Sequence, residues 1–163
     1  MTPLTPIAIP MQLRPASDDE RDQIARIWHS SASLPDVGPP VMPSYDQLRA
    51  RVDEELAGGW VVTVAVDQGE IVGFIAMKPD DRNLAELFVS PRQLGNGVGK
   101  RLLDHAKTVM RDGFTLFTTS RNARARHFYE REGLVVERQG LHPRSGHSVT
   151  HFRWTQGQGP ETA

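Results

Sequence analysis

No cysteine occurs among the 163 residues, which excludes disulfides, thiolate metal sites and a cysteine nucleophile. An excess of one charge is also missing. Nineteen Lys and Arg against 20 Asp and Glu leave a net charge of −1, so no global basic field invites nucleic acid or an anionic membrane. No apolar run approaches the roughly 18–20 residues that span a bilayer. The first ten residues hold Pro3, Pro6 and Pro10 but no basic segment. They read as a loose arm without a secretory signal, and a cytoplasmic protein is expected. Aromatic residues make up only 7%, yet 38% hydrophobic and 24% charged residues suit a single soluble domain with a real core.

The most informative stretch runs from Leu84 to Met110. A strand-like run, Leu84 to Val89, is stopped by Ser90-Pro91, and a glycine-rich turn follows, Gly95-Asn96-Gly97-Val98-Gly99. Apolar residues then recur at Val98, Leu102, Leu103, Ala106, Val109 and Met110, the period of an amphipathic helix. Strand, glycine turn and helix make an anion site physically. Glycines let the backbone approach closely, and the first N–H groups of the helix lack intrahelical partners. Lys100 and Arg101 in the first turn oppose the dipole, a cost that a bound anion would offset. The competing reading is a plain turn. Two better-known phosphate loops do not fit. Gly95 to Gly99-Lys100 encloses three residues where a P-loop needs four, and Lys100 stands where a dinucleotide fingerprint needs its last glycine.

Along the chain, Met11–Arg14 is a strand candidate, and Ser17 or Asp18 caps a helix that buries Ile24, Ile27 and Trp28. A proline- and glycine-rich loop follows from Ser30 to Pro43. Ser44 caps a second helix through Leu48, Val52 and Leu56, ended by Gly58-Gly59. Trp60–Val66 and Ile71–Lys78 form a hairpin across Asp67 to Glu70. After the long helix, Phe114–Thr119 is a strand, Asn122 to about Glu132 a helix, and Leu134–Arg138 and Val149–Thr155 the last strands. Residues 156–163 read as a disordered tail, which leaves one domain over 11–155. The order is β-α-α-β-β-β-α-β-α-β-β.

Two motifs in sequence carry a family resemblance. Val89-Ser90-Pro91 leads to Leu94-Gly95-Asn96-Gly97-Val98-Gly99, and Asn122, Ala125, Tyr129 and Gly133-Leu134 follow at fixed spacings. Together they resemble the GCN5-related N-acetyltransferase (GNAT) superfamily over about Met11 to Trp154. Leu94 departs from the Arg or Gln usual there. The resemblance implies an α/β fold with a mixed, mostly antiparallel sheet of about seven strands flanked by about four helices. It also implies acetyl-CoA as co-substrate. Leu87, Phe88 and Val89 would pair with the pantetheine arm. The backbone of Gly95, Asn96, Gly97, Val98, Gly99 and Lys100 would take the pyrophosphate, and Asn122, with Ala125 in the same frame, would meet the pantetheine or thioester end.

Tyr129 is the expected general acid, protonated at neutral pH with a reference pKa of about 10; its competing role is ring packing on the sheet. Glu86, a carboxylate in an otherwise apolar strand, is the expected base, since burying it unpaired is costly. His29 is a second candidate or a surface histidine. His142, His147 and His151 have no carboxylate or cysteine at a ligand spacing, so no metal is expected. The acceptor is expected to be a small-molecule amine held near Trp28, Tyr45 and Glu86, between the segments Trp28–Tyr45 and Gln139–Ser148. A protein N-terminus or lysine is the alternative, and an acyl-CoA sensor module the non-enzyme reading. No nucleic acid or membrane partner is expected, while a homodimer stays open.

Overall fold

A computed structural model describes residues 10–157. The strands are β1 (Gln12–Pro15), β2 (Val61–Asp67), β3 (Glu70–Lys78), β4 (Asn83–Val89), β5 (Phe114–Thr119), β6 (Val135–Leu141) and β7 (Ser148–Trp154). The helices are α1 (Arg21–Ala32), α2 (Tyr45–Ala57), α3 (Val98–Val109) and α4 (Ala123–Arg131). One seven-stranded sheet runs β1-β2-β3-β4-β5-β7-β6. Every neighbouring pair is antiparallel except β4 and β5, as the resemblance implied.

Alternation along the strands divides the core in two. On one face α1 and α2 bury Ile24, Trp28, Leu48 and Val52 against Trp60, Val62, Val64 and Phe74. On the other, α3 and α4 bury Val98, Leu102, Leu103, Ala106 and Tyr129 against Ile75, Met77, Leu116 and Phe152. Gly73 of β3 lets α3 approach closely. A Cβ there would stand 3.1 Å from both Val98 Cγ1 and the Phe88 carbonyl oxygen.

Local chemistry sets the boundaries. Ser44 accepts from the Gln47 N–H at 3.1 Å, and Gln47 Oε1 accepts from the Ser44 N–H at 2.8 Å, a reciprocal cap for α2. Gln68 and Gly69 both have positive φ (52° and 78°), the geometry of a tight two-residue hairpin loop. Three expectations shift. A single 3-10 turn at Asp18–Glu20 precedes α1, because Glu20 folds back onto the Ser17 N–H at 2.8 Å. Val109 of α3 is exposed at 45%, and Met110 just past the helix is buried instead. β6 continues to Leu141, since β7 pairs with it out to Ser148. The amino-terminal arm up to residue 9 and the tail from 158 lie outside the described residues.

β1 is tied to the helical layer by one ion pair. Arg14 reaches both Glu20 carboxylate oxygens, at 2.7 and 2.6 Å, and holds that buried carboxyl down at about 2 from an ordinary 4.5. A depressed carboxyl contributes stability above pH 4.5 that is lost as pH falls toward 2. Arg14→Met should lower stability at pH 7, where the Glu20 carboxylate would lose its partner. It should also flatten the loss of stability across that acid window. Urea denaturation at a series of pH values checks this, and parallel curves for the two proteins would contradict it.

Candidate active site

β4 and β5 pair at one register point only, Asn83 with Thr115. The Thr115 N–H donates to the Arg82 carbonyl at 2.9 Å, and Asn83 Nδ2 donates to the Thr115 carbonyl at 3.1 Å. Beyond this clamp the strands part. The Ser90 N–H donates to the Val72 carbonyl at 2.8 Å, so alternation turns the polar backbone of Phe88 and Glu86 toward β3. The N–H and C=O groups of Leu87 and Val89 therefore face the gap. The buried Ser31 hydroxyl of α1 donates to the Val89 carbonyl at 2.8 Å, and no strand pairs with the Leu87 amide on that side. A buried sheet does not normally leave such groups without partners.

The glycine turn sits at the open end of the gap. Gly95 and Gly97 have φ of +87° and +80°, and nothing lies within 4 Å of where a Cβ would stand on either. Gly97 is the N-cap of α3, and the first bond into that helix runs from the Arg101 N–H to the Gly97 carbonyl at 3.2 Å. The N–H groups of Val98, Gly99 and Lys100 precede it and are free for an anion. Asn96 is held by Gln93 through its N–H (3.2 Å) and its Nδ2 (3.0 Å). The cationic side chains behave differently from the sequence-based expectation. Lys100 Nζ binds Glu132 at 3.0 Å and Asp104 at 3.4 Å, while Arg101 donates to the Met11 carbonyl at 2.6 Å. Protein partners already offset their cost at the helix start, and the anion site is built from backbone. Leu94, 38% exposed, contributes no polar group there.

α4 supplies the other wall. Asn122 caps it by accepting from the Ala125 N–H at 3.1 Å, which leaves its Nδ2 without a bond to any described residue. Phe128 lies where a Cβ on Gly99 would touch its ring at 3.6 Å, so α4 packs directly on the glycine turn. Tyr129 is 8% exposed, with its ring against Phe128 at 5.3 Å and Phe152 at 5.6 Å. The ring is therefore packed as the competing role expected. Burial, and then the charge of Glu86, push the phenol above its usual 10. Arg126 beside it has a buried Nε that bonds to no described residue.

Glu86 lies on β4, the strand that borders the gap. Burial first, then the Glu55 carboxylate, raise its carboxyl to about 8 from 4.5, and Arg51 partly offsets the rise. Arg51 and Glu55 belong to α2, so the helices of one face and Tyr129 of the other converge electrostatically on this carboxyl. Arg51 also lines a cleft of about 440 Å³, together with Val41, Met42, Pro43, Gln47, Ala50, Glu54 and Arg144.

The other expected residues fall elsewhere. Trp28 is a core residue, 7% exposed with its ring 5.5 Å from Trp60; it does not line the cleft. Tyr45 is half-buried against the same core, and its neighbours Pro43 and Gln47 face the cleft instead. His29 makes no side-chain hydrogen bond to the described residues. His142 and His147 stack at 5.0 Å and brace the turn between β6 and β7. His142 Nδ1 accepts from the Arg144 and Ser145 N–H groups at 3.1 and 3.3 Å, and His147 meets Thr119 at 3.1 Å. Among the described residues no group of His, Cys, Asp or Glu is arranged to hold a metal, and no helix is long and apolar enough to cross a membrane. Arg51 and Arg144 escaped the sequence reading. The loop carrying Arg144 was legible as an acceptor wall, but Arg51 looks like any polar helix position until the sheet places it.

Comparison with known proteins agrees with this geometry. The model of the acetyltransferase (GNAT) family matches residues 22–134, and the chain belongs to that family. A peptidyl-lysine N-acetyltransferase, YjaB of Salmonella typhimurium, is 29% identical over 136 residues, covering 77% of this chain and 84% of that protein. A GCN5-related N-acetyltransferase structure from Rhodopseudomonas palustris superposes with a TM-score of 0.72 at 21% identity, over 93% of this chain and 99% of that one. The PaiA N-acetyltransferase of Thermoplasma acidophilum, solved in complex with coenzyme A, gives 0.67 at 16% identity over 90% and 99%.

Gly97→Glu places an anion and a side chain in the cradle. It should weaken acetyl-CoA binding in calorimetric titration by roughly 10-fold or more. Gly97→Asn tolerates positive φ and should lose much less, which separates charge from backbone strain. Equal affinity for Gly97→Glu and the unchanged protein would contradict the cradle.

Proposed function

We propose that the protein transfers the acetyl group of acetyl-CoA to the primary amine of a small molecule, by direct attack and without an acyl-enzyme. The observation that carries this reading is that Glu86, on the strand bordering the gap, lies close enough to buried Tyr129 of α4 for its charge to act on the phenol. The residues present fit the co-substrate. Leu87 and Val89 offer ladder positions to an extended pantetheine arm, as an added strand would use. The first-turn N–H groups of α3 suit a pyrophosphate, and Asn122 Nδ2 and Arg126 Nε supply donors along α4. Acetyl-CoA brings the acetyl group as a thioester.

The chain's own groups then divide the work. The Glu86 carboxylate takes a proton from the arriving ammonium, directly or through water, and the neutral amine attacks the thioester carbonyl. An N–H of β4 facing the gap donates to the carbonyl oxygen as charge develops there. Tyr129 gives its proton to the departing sulfur, the proton leaving the new amide nitrogen restores the Tyr129 hydroxyl through water, and Glu86 releases the ammonium proton to solvent. Because the charge of Glu86 is one of the causes that hold the Tyr129 proton on, protonating Glu86 loosens it. Amine deprotonation and thiol protonation are thereby coupled. A cleft of about 440 Å³ walled by Val41, Met42 and Pro43 suits a small molecule better than a peptide laid across an open groove. Peptide lysine is the second reading, favoured by the relative that carries that activity in its name.

With Glu86 raised to about 8, the base form grows as pH rises, so kcat/KM should climb through about pH 8 and level off above it. Glu86→Gln should remove that limb and lower kcat by roughly 100-fold or more. Tyr129→Phe should lower kcat by a similar factor, about 10²–10⁴, while acetyl-CoA affinity holds. Thiol release followed across pH is the measurement. A flat profile, or full turnover in Tyr129→Phe, would refute the assignment, and binding without turnover in the unchanged protein would favour a sensor module.

A further inference from the structure

The cleft lined by Arg51 and Arg144 holds a guanidinium with no direct carboxylate partner among the described residues. Arg51 projects from α2 into the cleft and makes no side-chain hydrogen bond or ion pair with any described residue. Arg144 enters from the turn between β6 and β7, and its only ion pair among the described residues is with Glu55 at 3.9 Å. Glu55 is already held by Lys78 at 3.2 Å. The two guanidiniums repel each other across the cleft strongly enough to help depress Arg51, after burial. Arginines spent on structure look different in this chain. Arg14, Arg21, Arg49 and Arg153 each hold a carboxylate through a direct hydrogen bond. The turn that carries Arg144 is itself fixed, because its backbone N–H donates to His142 Nδ1 and the two histidines stack. Arg51, partly buried and without a direct partner among the described residues, thus lines one cleft with Arg144, which a braced turn carries, and the two together can receive an anion from outside.

We propose that Arg51 and Arg144 bind a carboxylate on the acceptor, so that the substrate is a small amino acid presenting its amine to Glu86 and its carboxylate to the arginine pair. This rests on the acetyltransferase reading above and narrows it. Glu54 lines the same cleft, and Glu54, Glu55 and Glu86 act electrostatically on Arg51. Their presence limits the positive field to one that suits a single negative charge, not a phosphate dianion. It also sets this site against polyamines, which would place a second cation beside the arginines. The apolar wall of Val41, Met42 and Pro43 is left for the acceptor's side chain.

The test compares matched acceptors. Free L-amino acids, their carboxamides, their decarboxylated amines and spermidine are assayed by thiol release with saturating acetyl-CoA. The acid should exceed its own amide in kcat/KM by roughly 10- to 100-fold, the difference carried mainly in the acceptor KM. Arg51→Gln should collapse that ratio toward unity, and Arg144→Gln should lower it. Arg51→Lys, which keeps charge but loses the fork, should fall between. The ratio cancels any effect of Arg51 on the base, and circular dichroism with acetyl-CoA titration verifies that each variant is folded and loaded. Amides or spermidine acetylated as well as the acids would overturn the inference while leaving the acetyltransferase reading intact. Turnover on peptide lysine alone, or on no amine at all, would overturn it together with that reading.

Discussion

Two parallel strands that meet at Asn83 and Thr115 and then part impose a debt of hydrogen bonds on the centre of a buried sheet. In an ordinary α/β domain the polar backbone of Leu87 and Val89 would be answered by β5. Here the clamp at Arg82, Asn83 and Thr115 ends the ladder early. The remainder is answered in part by Ser31 and otherwise left for an extended ligand. The surrounding elements follow from that one constraint. Gly73 brings α3 close so that its free N–H groups lie at the open end, and Asn122 starts α4 so that Phe128 and Tyr129 close the far wall. The chain belongs to the acetyltransferase family, and the proposed site is centred on this gap.

The electrostatics of the site work against stability. Glu86, raised to about 8, favours its protonated form in the folded state. The folded protein therefore holds more protons than the unfolded chain between pH 4.5 and about 8, and stability falls as pH rises through that window. Glu20 behaves in the opposite way, because Arg14 fully answers its charge. One carboxyl is satisfied for the fold and the other is left unsatisfied for chemistry. The same contrast separates the arginines paired with Asp or Glu from Arg51.

Much of this was legible in the letters, for physical reasons. The buried positions Ile24, Ile27 and Trp28 follow from helical period, the Ser44 cap from its residue type ahead of a helical pattern, and the ends of β5 from its flanking turn residues. The glycine turn and the Asn122–Tyr129 frame were visible because backbone geometry and helix starts demand particular residue types. What could not be read depends on sheet order, which local sequence does not encode. Trp28 looked available to a ligand because its partner Trp60 is distant in the chain. The charge balance of Lys100 with Glu132, and of Arg144 with Glu55, needs elements that only the fold brings together. The histidines of the last loop lacked a metal pattern, and their role as braces emerges only from the β6–β7 turn.

The central claim is that the parted strands themselves hold the acyl-CoA, and amide hydrogen exchange tests it most directly. With saturating acetyl-CoA, protection should rise at Leu87 and Val89 and across the first turn of α3, from Val98 to Lys100. The face of β4 already bonded to β3 should change little. Binding that leaves those amides exchanging as before, or that protects a different region, would contradict the account.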